Sequence, residues 1–492
     1  MAAVKPGFRG AMTWLHDWSG LIVGWLLFVI ALAGTLSVFR SEIGNWMRPE
    51  VRCCAADSVA AGSAAVQWLG KHAATSPAWY IQPADARSAT SYAVWTAPGG
   101  DFAQKWLDPK TGDPATVRDT LGGDFFYRLH FELELPYPWG RLLAGAAAVA
   151  MLLALLTGIV AHRRFFVDFF TFRAGKGQRS WLDAHNVLAV TALPFHLMIA
   201  FTGALTLANL IMPWGATSLY HGDMAAVWKD LYPAAVDRPA RNLPAPLAPI
   251  APMLGKARQF FGGEIAQIAV LNPGDAAAVV SVTSGEDQRI GIQRQVISFD
   301  GTTGRPIATH IEKRPALRTF NFLYALHTAR FGEMLTRWLY FVCGLMLTAL
   351  IGAGLVLWTE KRRAQRQDLG FAIVERLNIA VVAGTPLAFA AFLLANRLLP
   401  VDLADRAALE VRTMFWLWGA VFVYALVRPA RRAWREILTV TTAACVAIPL
   451  SDVMTHAMRL DPLHLAVALI AFVLAMGFAF ASRRVGDRAA KA

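Results

Sequence analysis

Long apolar runs alternate with polar stretches along the chain, and most of these runs are long enough to cross a membrane as helices. About 18 or more apolar residues are needed to span the hydrocarbon core of a bilayer. Eight runs are candidates, of which the sixth is the shortest: about 18–39, 142–161, 187–212, 338–358, 377–395, 413–427, 437–454 and 462–481. The pattern predicts a polytopic α-helical membrane protein with about eight transmembrane helices.

The two long stretches between these runs carry a strand pattern. KWLDPKTGDPATV at 105–117 and VISFDGTTGRPIATH at 296–310 each place an Asp-x-x-Thr-Gly turn between two segments of β character. Such a pattern predicts a strand, a turn and a second strand. Together with the helical stretches AAVQWLGKHA and APMLGKARQFF, it predicts two small α+β domains.

The predicted organisation follows the order of the runs and loops. It comprises a tail with the first helix (1–40), a first α+β domain (41–135), a second helix (136–165), a loop with the third helix (166–212), a second α+β domain (213–325), a fourth helix with a basic end (326–366) and an accessory four-helix membrane region (367–492). No motif marks the accessory region, so its purpose is left open.

Composition and charge agree with a membrane location. Hydrophobic residues make up 56% of the chain and charged residues 16%, too few to solvate one soluble globule. The net charge of +13 would indicate a nucleic-acid partner in a soluble protein, but here the basic residues cluster at alternate ends of the helices. Because basic residues stay on the cytoplasmic side, both termini are predicted to be cytoplasmic and both α+β domains periplasmic. We expect a bacterial inner-membrane location, with membrane lipid and no nucleic acid as partner.

An internal repeat organises the first 365 residues. In WLHDWSGLIVGWLLFVIALAGTL, His16 precedes Gly34 by 18 residues, and in HNVLAVTALPFHLMIAFTGAL, His185 precedes Gly203 by the same 18. Each of these helices leads into a long loop that ends in a Tyr-x-Leu-His step, at His130 or His327, followed by another helix. The repeated unit is therefore helix, outer domain, helix.

The repeat arranges four histidines in two pairs. The inner pair is His16 with His185, and the outer pair is His130 with His327. Neutral imidazole is a good ligand for haem iron, and a haem takes one or two such ligands from facing helices. Two haems, one near each membrane face, would satisfy both pairs. A single histidine at a helix end is ordinarily a hydrogen-bonded residue. Metal binding is favoured here because the histidines occur at the same two membrane levels in both repeats.

Two further histidines break the repeat. His162 has no counterpart in the second repeat, and it is either a replacement inner ligand or a supporting residue. His196 follows His185 by 11 residues, which would place both on one face of an ideal helix. His196 is a third-level ligand, a contact at a haem edge or a proton-handling residue, and the sequence leaves these alternatives open.

Together these features resemble the PepSY-associated transmembrane proteins of bacterial inner membranes, a group that includes ferric siderophore reductases. The resemblance covers residues 8 to about 366 and depends on WLHDWSGL, the two turns, the Tyr-x-Leu-His steps and His185 taken together. It implies two PepSY-like periplasmic domains and two b-type haems held by His16, His185, His130 and His327, with His162 as a competing ligand. It also implies electron transfer outward to a ferric siderophore or another periplasmic ferric complex.

The electron donor and two rival functions are left open. The sequence has no GxGxxG motif, flavin motif or P-loop, so the donor would be a separate flavin reductase or a membrane quinol. One rival is a permease for iron or a siderophore. The sequence pattern argues against it, because it predicts uninterrupted helices, whereas transport sites are often marked by interrupted ones. The other is a regulator whose outer domains bind a periplasmic protease.

Overall fold

A computed structural model describes residues 7–51, 57–97, 99–114, 117–162, 172–173, 175–231, 236, 238–285, 295–366, 368–455 and 460–490. The chain divides into two compact units. We name the first the membrane unit (Met1–Arg40, Gly123–Ile211 and Arg337–Ala492) and the second the sheet unit (Ser41–Gly122 and Met212–Thr336).

All regular secondary structure described in the membrane unit is helical. Its helices are α1 (Phe8–Ser37), the start of α2 (Arg40–Trp46), α4 (Asp124–Glu132), α5 (Trp139–Ala161), α6 (Gln178–Thr191), α7 (Leu193–Thr206), α8 (Ala208–Ile211), most of α13 (Met334–Arg362), α14 (Leu369–Asn378), a π-helical turn (Ile379–Ala383), α15 (Gly384–Leu398), α16 (Arg406–Val427), α17 (Ala430–Met454) and α18 (Pro462–Ala490). Among the described residues, seven helices are long and apolar enough to cross a membrane, and α6 with α7 makes an eighth if the bent pair counts as one span. The predicted polytopic helical membrane protein is confirmed.

The sixth predicted span was the shortest, and the structure extends it. Helix α16 begins at Arg406 rather than near residue 413 and contains 22 residues. The additional turn carries Arg406 and Glu410, whose charges interrupt the apolar pattern. These two side chains form an ion pair and are both fully buried. Their mutual neutralisation allows the helix to continue through residues that the sequence pattern excluded.

The third predicted span is interrupted, so the expectation of uninterrupted helices is wrong. Helices α6 and α7 meet at an angle of 72°. The break lies at Ala192, immediately before the Leu193–Pro194 pair that starts α7. Proline lacks a backbone N–H and its ring clashes with the preceding turn, which explains the bend. Since His185 and His196 lie on opposite sides of this break, the argument that they share one helical face also fails.

The sheet unit contains one sheet to which both long loops contribute. Its strands are β1 (Ala78–Gln82), β2 (Ser91–Thr96), β3 (Phe102–Leu107), β4 (Ile265–Leu271), β5 (Val279–Ser284), β6 (Gln295–Asp300) and β7 (Pro306–Ile311). They pair in the order β3-β2-β1-β4-β5-β6-β7, and every pairing is antiparallel. The helices of this unit are the remainder of α2, α3 (Ser58–His72), α9 (Trp214–Leu219), α10 (Met224–Leu231), α11 (Ile250–Phe261) and α12 (Pro315–Thr328).

The join between β1 and β4 unites what the sequence presents as two domains. Trp79 pairs with Val270, and Ile81 pairs with Ile268. Pairing removes two exposed strand edges that would otherwise present unsatisfied backbone groups. Side chains from both halves then share one core with α3 and α11, including Trp79, Leu69, Leu254, Ile268 and Phe299. The two loops thus form a single seven-stranded layer rather than two separate sheets.

Both Asp-x-x-Thr-Gly motifs form turns, as predicted. Asp108 accepts hydrogen bonds from the backbone of Lys110 and Thr111, and Asp300 accepts them from Thr302 and Thr303. The glycine that closes each turn has a positive φ, +74° at position 112 and +69° at position 304, which favours glycine. The second turn joins β6 to β7. After the first turn, residues 113–114 and 117–123 form no strand, and β3 stays at the edge of the sheet. The second strand predicted after this turn is therefore wrong.

Candidate functional site

Two histidines from different helices of the membrane unit are brought together. His16 lies in α1 and His185 in α6, and their ring centroids are 6.2 Å apart with the ring planes inclined by 70°. Two imidazoles bound on opposite sides of one metal ion, through bonds of about 2.0 Å, have centroids about 6 Å apart. The spacing of this pair therefore fits one metal ion held between the two rings.

Each ring of the pair is fixed by a hydrogen bond to the backbone of a neighbouring helix. His16 Nδ1 lies 2.8 Å from Ala154 O in α5, and His185 Nδ1 lies 3.0 Å from Leu350 O in α13. A carbonyl oxygen only accepts, so Nδ1 is the protonated nitrogen in both rings. Neither Nε2 has a hydrogen-bond partner in the part of the chain that the structure describes. This is the arrangement by which proteins orient a histidine so that its other nitrogen binds a metal.

Two glycines give the rings access to these carbonyls. A Cβ atom at Gly158 would lie 3.0 Å from His16 Cε1, and a Cβ atom at Gly354 would lie 3.1 Å from His185 Cε1. The contacts show that they make room for the imidazole rings.

His130 is held in the same way by α1. Its Nδ1 lies 2.8 Å from Ile30 O, and a Cβ atom at Gly34 would lie 2.6 Å from that nitrogen. Desolvation by burial lowers the pKa of His130, so the ring is neutral at pH 7, the form that binds metals. His16, His185 and His130 thus share one type of contact, although they lie in three different helices.

The accessory region supports the helix that carries His130. Phe125 and Phe126 in α4 are fully buried. Phe125 stacks on Phe392 of α15 at a centroid distance of 4.3 Å, and Phe126 packs against Phe389 at 5.0 Å. Such aromatic contacts fix the position of a helix through a large buried apolar area. The accessory region, for which the sequence indicates no purpose, therefore helps to position His130, a predicted haem ligand.

The other two candidate histidines have different surroundings. His162 follows the last residue of α5, and its Nε2 accepts a hydrogen bond from the Asn186 side-chain amide at 3.3 Å, which engages the nitrogen that His16 and His185 leave unbonded. His196 in α7 is fully buried, and neither ring nitrogen has a hydrogen bond of ordinary geometry among the described residues. The backbone of Cys343 in α13 lies beside the ring. The contact of Nδ1 with a helix carbonyl is established for His16, His185 and His130.

His327 belongs to the sheet unit. It lies in the last turn of α12, and Ala329, the residue that follows the helix, has a φ of +53°. At the opposite end of this helix, Arg314 forms ion pairs with Glu312 and Asp230. These contacts attach α12 to the end of β7. The pairing of His327 with His130 stays a prediction of the sequence.

Two arginines near the candidate histidines form ion pairs with acidic side chains. Arg141 forms an ion pair with Glu132, and Arg362 lies 3.2 Å from Asp17 and stacks over Trp358. Arg163 and Arg164, which by their position in the sequence could pair with haem propionates, lie outside the described residues. Among the residues that the structure describes, no three His, Cys, Asp or Glu side chains are grouped to hold a metal ion by themselves.

The backbone carbonyls that orient the rings could not be recognised as functional from side-chain patterns. Ala154, Leu350 and Ile30 are ordinary apolar helix residues. The sequence carries one signal for these carbonyls, a glycine four residues after each of them, at positions 158, 354 and 34. Two residues in the same region also escaped notice: Trp25 donates to Asn378, and Asn378 donates to Leu355 O, each at 2.8 Å. This link fixes α1, α13 and the fifth span to one another.

Comparison with known proteins places this chain in a family. The PepSY-associated TM region matches residues 13–361, and the chain therefore belongs to that family, as its sequence motifs predicted. It is also similar to an uncharacterized protein of Pseudomonas aeruginosa, with 28% identity over 360 residues that cover 68% of this chain and 88% of the relative. The matched family region contains all six candidate histidines.

Proposed function

We propose that this protein is a haem-containing oxidoreductase of the bacterial inner membrane that passes electrons to a ferric siderophore or another periplasmic ferric complex. Reduction of the ferric ion would weaken its binding to the chelator and release iron. The proposal includes two b-type haems and a cytoplasmic or quinol electron donor. Both termini would be cytoplasmic and the sheet unit periplasmic. The reason is that the basic residues cluster at the helix ends that do not lead into the two long loops, and basic residues stay on the cytoplasmic side.

One observation carries the proposal, the pairing of His16 with His185. Their centroids are 6.2 Å apart, and each Nδ1 is bonded to a carbonyl while each Nε2 is unbonded among the described residues. A haem bound there would supply one-electron transfer through its iron. The carbonyl bonds would hold both rings in one tautomer and increase the basicity of the ligating nitrogens. With both His16 and His185 holding it, a haem would supply electron transfer rather than oxygen chemistry.

The family membership and the layout of the chain are consistent with this function. A transmembrane carrier needs ligands at more than one depth, and His130 lies in a different helix with the same carbonyl contact as the inner pair. With His327 as its predicted partner, His130 would complete the second haem site. His162 and His196 stay candidates for supporting roles, His162 through its hydrogen bond to Asn186 beside His185.

The proposal is tested by purifying the full chain from cells supplied with haem and recording its absorption spectrum. We expect a Soret band and, after reduction, the α-band of b-type haem. Adding a ferric siderophore to the reduced protein should reoxidise it, with ferrous iron captured by a colorimetric chelator. A preparation without bound haem would exclude this function, and reoxidation at the same rate by the free chelator would exclude ferric reduction.

The bend in the third span supports a permease as the second candidate. Broken helices at membrane depth often line transport sites, and α6 and α7 are bent by 72° at Ala192. Helix α1, the counterpart in the first repeat, is continuous over 30 residues, whereas transporters usually break corresponding helices in both repeats. Uptake of a labelled ferric siderophore into proteoliposomes without an electron donor would favour transport over reduction.

A further inference from the structure

A helix carbonyl followed four residues later by a glycine receives a histidine ring at three places in the membrane unit. The three pairs are Ala154 with Gly158, Leu350 with Gly354, and Ile30 with Gly34. In an α-helix the carbonyl of residue i accepts the N–H of residue i+4. The oxygen that receives the imidazole is therefore the one that also accepts the glycine's own N–H. A carbonyl oxygen has two lone pairs and can accept both bonds.

The spacing of four has a steric reason. Side chains at i and i+4 lie one above the other on the same helix face. A side chain at i+4 would stand in the space through which the ring reaches the carbonyl. The distances agree, because a Cβ atom at Gly158 or Gly354 would meet its histidine ring at 3.0 or 3.1 Å, closer than ordinary van der Waals contact. At Gly34 the corresponding distance is 2.6 Å, which is too short for any Cβ contact.

We propose that Gly158, Gly354 and Gly34 are positioning residues that set how closely the rings of His16, His185 and His130 approach the neighbouring helices. For His16 and His185, the approach also fixes the direction of the unbonded Nε2. The consequence for a bound metal rests on the proposed haem function, but the positioning of the rings does not. A methyl group at any of the three glycines displaces the ring and breaks or lengthens its Nδ1 hydrogen bond.

The test uses the full chain with Gly158→Ala and Gly354→Ala. The control variants are Gly20→Ala in α1 and Gly477→Ala in α18, where an added Cβ meets nothing within 4 Å. Alanine is a better helix former than glycine, so all four changes preserve helices and differ only in what the methyl group meets. The first measurement is the electron paramagnetic resonance spectrum of the oxidised protein, which reports the orientation of axial imidazoles.

We expect the Gly158→Ala and Gly354→Ala proteins to show shifted low-spin g values or loss of one of two haem signals, and both controls to match the unsubstituted protein. Gly34→Ala, with the closest contact, should shift or remove the signal of the other haem. Spectra of Gly158→Ala and Gly354→Ala that match the unsubstituted protein would overturn the positioning role.

A second measurement separates this inference from the proposed function. Nitrogen-15 NMR of histidine-labelled protein prepared without haem distinguishes rings protonated at Nδ1 from those protonated at Nε2. We expect two fewer Nδ1-protonated rings in the Gly158→Ala, Gly354→Ala double variant than in the controls. An unchanged tautomer pattern would overturn the inference. Absence of haem from the unsubstituted protein would instead exclude the proposed function. The NMR measurement would still decide whether the glycines position the histidine rings.

Discussion

The ring centroids of His16 and His185 are 6.2 Å apart, although His16 belongs to the first span and His185 to the broken third span. If both rings bind one iron, then removing either ring removes an axial ligand. We expect His16→Ala and His185→Ala each to lose about half of the b-type haem absorbance, because one of two predicted haems is affected. The measurement is haem per protein by the pyridine haemochrome assay.

His72→Ala is the matched control for this prediction. The Nδ1 of His72 also bonds a carbonyl, that of Trp68 at 2.9 Å, but the ring lies on the surface of the sheet unit and stacks on Trp68. Its removal should leave the haem content unchanged. Equal haem contents in all three variants and the unsubstituted protein would show that His16 and His185 are not ligands.

His130→Ala should separate the two predicted haem sites. We expect this variant to retain the absorbance of the inner haem and to lose reduction of a ferric complex added from the periplasmic side, because the electron would no longer reach that face. His327→Ala should have the same effect, since the sequence predicts that these residues act as a pair. The check is haem content together with ferric reduction in oriented membrane vesicles. Full haem content in both variants would contradict the predicted outer pair.

A buried ion pair holds the accessory region together. Arg397 Nε lies 2.6 Å from Asp452 Oδ1, the Arg397 side chain is fully buried and the Asp452 side chain is 5% exposed. Removing one partner leaves an uncompensated buried charge, at a cost of about 3–5 kcal/mol. We expect Arg397→Met and Asp452→Leu to lower the melting temperature of the detergent-solubilised chain, measured by differential scanning fluorimetry.

The double variant decides whether the cost arises from the unpaired charge. Arg397→Met combined with Asp452→Leu replaces both charges with apolar groups, which is often nearly neutral for stability. Most of the melting temperature should therefore be recovered. Additive losses would show that the two side chains contribute independently, for example through the bond from Arg397 Nη1 to Asn396 Oδ1.

The sheet unit should lose stability at low pH through Glu312. Hydrogen bonds from Arg314 hold the pKa of this buried carboxyl at about 2, below its ordinary value of 4.5. A depressed carboxyl pKa stabilises the fold above pH 4.5, and this contribution is lost as the pH falls toward 2. We expect Glu312→Gln to destabilise the unit by about 1.5–3 kcal/mol at pH 7, the value of a hydrogen bond to a charged group.

The difference between Glu312→Gln and the unsubstituted protein should shrink as the pH is lowered from 5 to 3. Thermal unfolding across this range is the measurement. Asp101→Asn, at an exposed position in the same unit, is the control and should show no such change. A difference that is independent of pH would mean that the ionised form of Glu312 does not contribute.

The spans could be predicted from the sequence because an apolar helix in lipid must satisfy its backbone internally, whatever surrounds it. This constraint is local, and seven of the eight predicted runs each correspond to one continuous helical span. The fifth of these spans contains a π-helical turn. The sixth was placed too short because its first turn carries Arg406 and Glu410. Only the tertiary structure shows that the two charges are paired and buried.

The sequence by itself determined the membrane class, the family, the two Asp-x-x-Thr-Gly turns and the six candidate histidines, since all of these are expressed in residue type and short-range spacing. Tertiary structure alone decided that α6 and α7 are bent, that β1 pairs with β4, and that His16 and His185 share one site with their Nδ1 atoms bonded to Ala154 and Leu350. The reason is physical. Strand pairing and ring orientation depend on backbone groups of distant segments, and a backbone carbonyl is the same in every residue, so its role becomes visible only when the helices are packed.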